Sequence, residues 1–274
     1  MKKRLLVVWF ANFILLLQAQ TSANIPSSLS VANASVADNQ QFSPFANPAT
    51  LGEVSGMLFG FQYENKFLIK ELSQKSIYVA APNSLMNVGV VGSYFGYAQY
   101  NETVAGIALS RNFGGVFSLG FQYNYYRVYF AGSNSYYGTF FPQIGLQYFL
   151  SKRFTIGFST HNPAQQNLKT ASYEKIIPSV FSLGGKWMFE NNVRFLCQFD
   201  KDMHGNYRLA GGFDYCMKDF LLFQMGAYQT EYLVPTLGVG IKSGSFDVNL
   251  HADLHPVLGL NSFASVQFHF QSNH

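Results

Sequence analysis

Charged residues and cysteines are scarce in this sequence. Asp, Glu, Lys and Arg together make up 12% of the 274 residues, about half the share that is usual in soluble domains. The two cysteines, Cys197 and Cys216, form no Cys/His pattern with metal-ligand spacing. The net charge is only +4 and is not concentrated in a basic cluster. The composition therefore argues against a zinc module and against a nucleic-acid-binding protein.

Long hydrophobic runs are also missing beyond the N-terminus. No apolar stretch after residue 23 approaches the 18 or more residues that a membrane-spanning helix needs. The nucleophile elbow GxSxG, the phosphate-binding loop, the dinucleotide fingerprint and HExxH are absent as well. We therefore predict neither a helical membrane protein nor an enzyme, and we predict no cofactor.

The N-terminus has the pattern of a secretory signal peptide. Three basic residues at positions 2–4 precede an apolar stretch from Leu5 to Leu17, and small residues follow. The pattern predicts a signal peptide over 1–23, with cleavage after Ala19 or Ala23. Neither site is followed by cysteine, so a lipid anchor is not expected.

The rest of the chain alternates between apolar and polar residues. In "FDVNLHADLH" (246–255), every second residue is apolar and the residues between are Asp, Asn or His. A period of two over this length is typical of a β-strand. We find about fourteen such segments, each roughly the length that a tilted strand needs to cross a bilayer. They lie at 55–65, 74–82, 86–98, 102–112, 116–128, 138–150, 152–161, 175–189, 191–202, 206–217, 219–229, 233–243, 245–255 and 258–270.

The polar face of these segments is unlike a solvated surface. It is rich in Gly, Ser, Asn and Gln and poor in Lys and Glu, whereas the apolar face carries Phe and Tyr. The final segment, "SVQFHF", ends in alternating aromatics, which resembles the assembly signal of outer-membrane barrels. We therefore predict an all-β, antiparallel transmembrane barrel over 53–274, located in the outer membrane. A soluble sandwich of two sheets is the alternative, since it alternates in the same way.

In a barrel, the polar face lines the lumen. The predicted lumen-lining residues include Lys186, Arg194, Asp200, Arg208, Asp214, His251, Asp253 and His255. This orientation implies that Phe195→Arg is harmful and that Arg194→Phe is milder. The histidines could suggest a metal site, but His251 and His255 are too far apart along one strand to share an ion without help, so no metal is predicted. Both cysteines are expected on the apolar face as small buried residues, with a disulfide as the alternative.

A short motif precedes the first strand. "SPFANPATLG" contains Asn47, Pro48, Ala49 and Leu51, and Asn-Pro is a turn initiator because proline restricts both its own backbone and that of the residue before it. We expect the segment 24–52 to act as a plug that tucks into the periplasmic mouth and turns into strand one. The alternative is a disordered leader with an ordinary turn.

The order of a signal peptide, an NPAxL motif and a first strand "GMLFGFQYENKF" resembles the PorV/PorQ family of outer-membrane barrels and the related FadL-like barrels. "FTIGFSTHNPAQ" and "IIPSVFSLGGKWMF" are similar to the mid-barrel pattern of the PorV/PorQ family. That resemblance implies a partner-binding component of type IX protein secretion and surface attachment, with secretion subunits or secreted proteins as partners. The alternative is a FadL-like channel for small hydrophobic solutes. The inward residues Phe149, Leu222, Tyr228 and Phe263 would then be candidates to line its pocket.

Overall fold

The computed structural model describes Asn24, Pro26 and residues 31–38, 45–132, 134–169, 174–190 and 192–270. The predicted signal peptide lies outside these residues. Short 3-10 turns occur at Val31–Asn33, Pro48–Glu53, Lys66–Leu68 and Lys70–Leu72. The strands are β1 (Met57–Asn65), β2 (Ser73–Ala81), β3 (Asn87–Gly96), β4 (Tyr100–Phe113), β5 (Phe117–Phe130), β6 (Ser135–Ser151), β7 (Phe154–His161), β8 (Leu168–Lys169), β9 (Glu174–Lys175), β10 (Val180–Met188), β11 (Val193–Asp202), β12 (Tyr207–Met217), β13 (Leu221–Gln229), β14 (Leu233–Lys242), β15 (Phe246–His255) and β16 (Gly259–Phe270).

Fourteen of these strands form one closed antiparallel barrel, which confirms the predicted fold class. Each barrel strand pairs with its neighbour in the chain, and β1 closes the sheet against β16, with Phe61 opposite Val266. The short hairpin β8–β9 stands apart, in the connection between β7 and β10. Closure leaves no sheet edge unpaired, as hydrocarbon requires.

The sequence located thirteen of the barrel strands to within a few residues and misplaced the start of one. The segment 175–189 was expected to be a single strand, but β10 begins at Val180 and Lys175 belongs to β9. Pro178 lies between them. Proline cannot donate to a strand ladder, so it ends the run of pairing there.

The chain ends of the barrel share one rim, where Met57 lies opposite Phe270. Connections at this rim are short, for example 114–116 between β4 and β5, and 243–245 between β14 and β15. The longest connection, 162–179, belongs to the opposite rim. An even strand number with short turns at the terminal rim places that rim in the periplasm, as in outer-membrane barrels. We call the two ends the terminal rim and the opposite rim.

The apolar face points outward and the polar face points into the barrel. In β14, exposed and buried residues alternate strictly along most of the strand, so that Leu237 and Val239 are exposed while Thr236 and Gly238 are buried. Phe195, Phe199 and Phe213 are likewise exposed on the outside. An apolar exterior is unfavourable in water and matches lipid, so the soluble sandwich is excluded and the outer-membrane location is confirmed.

The described residues include no helix long and apolar enough to span a membrane.

The two cysteines do not occupy the sites expected of them. Cys197 is exposed on the outer face, opposite Gly185 and Gly211. Cys216 is half-buried and lies on the same inner face of β12 as Asp214. Both are free. Cys197 lies on the apolar face as expected, but the expectation that it is buried was wrong because that face is exposed to lipid. The expected face of Cys216 was wrong because this residue has the parity of the polar residues.

The outward direction of Phe195 can be tested by Phe195→Arg. The change places a charge in lipid, which costs about 2–4 kcal/mol at the bilayer midplane and less towards the interface. Phe195 is the third residue of β11, near the terminal rim, so we expect a partial loss of assembly, whereas Phe195→Leu should be nearly neutral. Heat-modifiable gel migration of the purified membranes measures the assembled fraction. Equal assembly of the two variants would contradict the outward assignment.

Candidate luminal site

The N-terminal segment crosses the inside of the barrel. Residues 31–33 contact β12, β13 and β14, whereas residues 48–53 contact β3, β4, β5 and β6 on the other side of the wall. Val31, Ala32, Ala49 and Leu51 have no solvent exposure. The segment therefore buries the inner face of both halves of the barrel.

Asn47 organises the NPA turn. Its backbone is extended, as expected before proline, and Pro48 begins the 3-10 turn Pro48–Glu53. The Asn47 Oδ1 atom accepts from the Ala49 amide at 2.9 Å, and its Nδ2 donates to the Val36 carbonyl at 2.6 Å. One buried side chain thus caps the turn and ties it to the earlier part of the segment.

Two glycines of the barrel wall allow the NPA turn to pack directly against the wall. A Cβ atom on Gly120 would overlap the backbone of Pro48 and Ala49, and one on Gly145 would overlap the Asn47 side chain. Leu51 packs near Gly89, and its carbonyl accepts from Asn87 Nδ2 at 2.8 Å. All four motif residues of the sequence analysis therefore lie inside the barrel, against its wall.

Arg194 links the segment to the wall through two carboxylates. Its Nε donates to Asp214 Oδ1 at 2.8 Å, and a second guanidinium nitrogen contacts Asp214 Oδ2. Its Nη1 donates to Asp38 of the N-terminal segment at 2.9 Å. All three side chains are almost fully buried, so the pairing must offset a large desolvation cost.

Arg208 forms a second link nearer the opposite rim. Its Nε donates to Asp200 at 2.8 Å, and its two terminal nitrogens donate to the carbonyls of Ala32 and Asn33 at 2.9 Å each. The fork of five donors on arginine suits this combination of one carboxylate and two carbonyls. The charged lumen predicted from sequence thus binds the backbone of the chain's own N-terminal segment.

The other predicted lumen residues lie in several places. Lys186 is buried on the inner wall, where Asp38 and Asp214 are among the charges acting on it. His251 Nε2 lies 3.1 Å from Asp253 Oδ1. His255 lies at the opposite rim and accepts from the backbone of the β15–β16 turn. His251 and Asp253 are thus paired while His255 lies apart, and the described residues contain no group of three potential metal ligands.

Glu102 is a luminal residue that the sequence analysis missed. Glu102 Oε1 lies 2.5 Å from Lys175 Nζ of β9 and accepts from Tyr100 OH at 2.6 Å, while Oε2 accepts from Tyr126 OH at 2.7 Å. The signal was present in the sequence, because Glu102 follows the inward parity of β4. Lys175 was expected to begin the strand 175–189, so its contact with Glu102 could not be predicted; it lies in β9, in the connection between the barrel strands β7 and β10.

That connection folds inward over the lumen. Leu168 and Ile177 are buried in a cluster with Phe45 of the N-terminal segment and Phe141 of β6. Asn162 holds the connection in place, because its Nδ2 donates to the Ile177 carbonyl at 2.8 Å. The described part of 162–179 therefore covers part of the barrel at the opposite rim.

A cavity of about 340 Å³ remains between the N-terminal segment and the wall. Exposed residues at the opposite rim, including Asn206 and Tyr207, form part of its lining. The complete lining comprises Pro26, Asn33, Ser35, Phe45, Ala46, Ser159, His161, Val180, Ser182, Gln198, Asp200, Asp202, Asn206, Tyr207, Arg208 and Thr230. Phe149, Leu222, Tyr228 and Phe263, the pocket residues expected from sequence, do not line this cavity.

Comparison with solved structures identifies the same architecture in outer-membrane barrels. A Pseudomonas aeruginosa FadL homologue matches with a TM-score of 0.63 at 12% identity, over 90% of this chain and 99% of the other. The Pseudomonas putida toluene transporter TodX matches with a TM-score of 0.66 at 9% identity, over 90% and 97%. The Acinetobacter baumannii outer membrane protein Omp33 matches with a TM-score of 0.51 at 8% identity, over 80% and 100%.

Neither the protein-family models nor the curated proteins contain a match to this chain. At identities of 8–12% the structural likeness establishes the fold alone, that of an outer-membrane β-barrel. The resemblance to the PorV/PorQ family finds no support in these comparisons, whereas the FadL-like alternative agrees with them in fold.

The ion pairs of Arg194 change the effect that its substitution is expected to have on stability. The sequence pattern predicted Arg194→Phe to be mild, but the change would leave Asp38 and Asp214 buried without their cation. Breaking such a pair costs about 3–5 kcal/mol, so we expect a clearly lower urea midpoint in detergent. Adding Asp214→Asn to Arg194→Phe should recover part of the loss. A midpoint unchanged by Arg194→Phe alone would contradict the pairing.

Gly120→Ala tests the close approach of the NPA turn. The new methyl group collides with the backbone of residues 48–49 and should displace the segment while the barrel still assembles. Limited proteolysis of the folded barrel should then cleave within 31–38 or 45–54, where we expect the wild-type protein to resist.

Gly132→Ala is the matched control, because a Cβ there meets nothing within 4 Å. Cleavage of the wild-type barrel cleanly up to Pro48 would show that the segment is not held inside.

Proposed function

We propose that this protein is a channel for small, largely apolar solutes, and that its N-terminal segment is the plug that closes it. The observation that carries the proposal is the cavity of about 340 Å³ between that segment and the barrel wall. A solute can reach it from the opposite rim, past Asn206 and Tyr207, without first displacing the segment.

The size of the cavity favours a compact solute. It lies at the low end of the range for small-molecule sites and is about twice the volume that holds a benzene molecule in an engineered protein cavity. Phe45, Ala46 and Val180 supply apolar contact, whereas Ser159 and Ser182 can orient one polar group. These properties fit a substituted benzene or a short acyl chain. The likeness in fold to a toluene transporter is consistent with this class.

Passage onward to the periplasm requires the plug to move. Arg208 couples the cavity to the plug, because it lines the cavity and also binds the carbonyls of Ala32 and Asn33. A solute that competes for Arg208 weakens one of several polar links between plug and wall. The links from Arg194 to Asp38 and from Asn87 to the Leu51 carbonyl lie elsewhere and remain. A ligand shifts such an equilibrium only by its differential affinity for the two states.

A role in secretion has less to support it. Most connections at the opposite rim are short, for example 97–99 and 256–258, which leaves little surface there for a protein partner. Purification from detergent-solubilised outer membranes would recover secretion subunits if the PorV/PorQ-like role applied.

Filling the cavity tests the channel. Ser182→Trp places a large side chain in the cavity and should reduce toluene uptake by cells that produce the barrel by about tenfold, equivalent to about 1.4 kcal/mol of binding. Heat-modifiable migration should stay normal.

Ser243→Trp is the matched control, since Ser243 lies in an exposed turn at the terminal rim. The proposed channel would be refuted if cells with the wild-type barrel took up no more toluene than cells without it. Equal uptake by cells with the two variants would refute it as well.

A further inference from the structure

We propose that the leader is removed by cleavage of the Ala23–Asn24 bond, and that the new α-ammonium group of Asn24 binds Glu102 inside the barrel. The inference rests on the signal peptide predicted from sequence. It selects one of the two cleavage sites that the sequence leaves open, and it gives the mature N-terminus a structural role.

Both oxygens of Glu102 contact Asn24. The Asn24 backbone nitrogen donates to Oε2 at 2.8 Å, and its side-chain Nδ2 donates to Oε1 at 3.0 Å. Lys66 Nζ holds the Asn24 side chain from the other side, 3.3 Å from Oδ1. Asn24 is thus anchored to one carboxylate near the opposite rim.

The carboxylate is paired with Lys175 through Oε1 and contacts the Asn24 nitrogen through Oε2, so an ammonium at Asn24 would be its second cationic partner. Glu102 is only 1% exposed, and its other partners, Tyr100, Tyr126 and Lys175, all donate to it. Charge-assisted hydrogen bonds are shorter and stronger than those between neutral groups. An α-ammonium at Asn24 therefore binds this site more strongly than the N–H of a continuing peptide bond.

The sequence around the Ala23–Asn24 bond also supports cleavage at this position. Cleavage after Ala23 has Thr21 at the third residue before the cut, which agrees with the pattern of small residues at signal cleavage sites. Cleavage after Ala19 would have Leu17 there. It would also leave residues 20–23 attached to the nitrogen that contacts Glu102, and that nitrogen would be neutral.

The chemistry is a hydrolysis carried out by a signal peptidase during export, before the barrel folds. Water adds across the amide, so that the Ala23 carbonyl carbon gains an oxygen and becomes a carboxylate. The Asn24 nitrogen becomes an amine, which is protonated to an ammonium at neutral pH.

The first test is the intact mass and N-terminal sequence of the protein purified from outer membranes after expression with its own leader. We expect a chain that begins at Asn24. The folded protein should also react several-fold more slowly with an amine-directed methylating reagent at Asn24 than the urea-unfolded protein does. A chain beginning at Gln20 or elsewhere, or an α-amine that is equally reactive in both states, would overturn the proposal.

A second test removes the ammonium without altering the carboxylate. Insertion of Gly-Ser between Ala23 and Asn24 moves the charged terminus away and leaves a neutral amide at Asn24. The insertion should lower the unfolding temperature in the wild-type background and change it much less in Glu102→Gln, since interacting groups are non-additive.

Equal losses in the two backgrounds would show that Glu102 does not recognise the terminus. If Glu102→Gln fails to assemble, the mass and labelling results on the wild-type protein still decide the question.

Discussion

Closure of the sheet between β1 and β16 is the constraint on which the rest of the structure depends. In hydrocarbon, every backbone donor and acceptor must be paired within the protein, and an antiparallel sheet achieves this only without free edges. Closure then divides each strand into two environments. The outer residues meet lipid and are apolar, and the inner residues enclose a space that polar side chains of the wall cannot fill by themselves.

The N-terminal segment gives those inner polar groups their partners. Asp38 provides a second carboxylate for Arg194, and the carbonyls of Ala32 and Asn33 occupy two donors of Arg208. Buried apolar residues of the segment, including Val31 and Leu51, also pack against the wall. Its polar links differ from this packing because they can be exchanged for water or solute one at a time. Such exchange suits the proposed role of the segment as a plug that closes the barrel and can be displaced.

The candidate site is formed where three parts of the chain meet. The wall supplies Ser159 and Ser182, the N-terminal segment supplies Phe45, and the connection 162–179 covers the lumen nearby through Ile177. None of these parts forms the cavity alone. Its limited volume is a consequence of how far the segment and the connection reach into the barrel, which is why a compact solute is proposed.

The amino-acid sequence by itself determined the membrane barrel, the number of its strands and the direction in which their side chains point. Alternation is a local property of each strand. It can be recognised in the sequence because one face of the strand contacts lipid and the other faces the polar lumen. The sequence also indicated that Arg194, Arg208 and Asp214 face inward, and that a turn begins at Asn47.

Only the tertiary structure decided what those residues contact. Asp38 and Lys175 lie far in sequence from Arg194 and Glu102, and their pairing depends on how the N-terminal segment and the long connection fold into the lumen. Neither piece carries a periodic pattern, because neither is a regular strand with one face towards lipid.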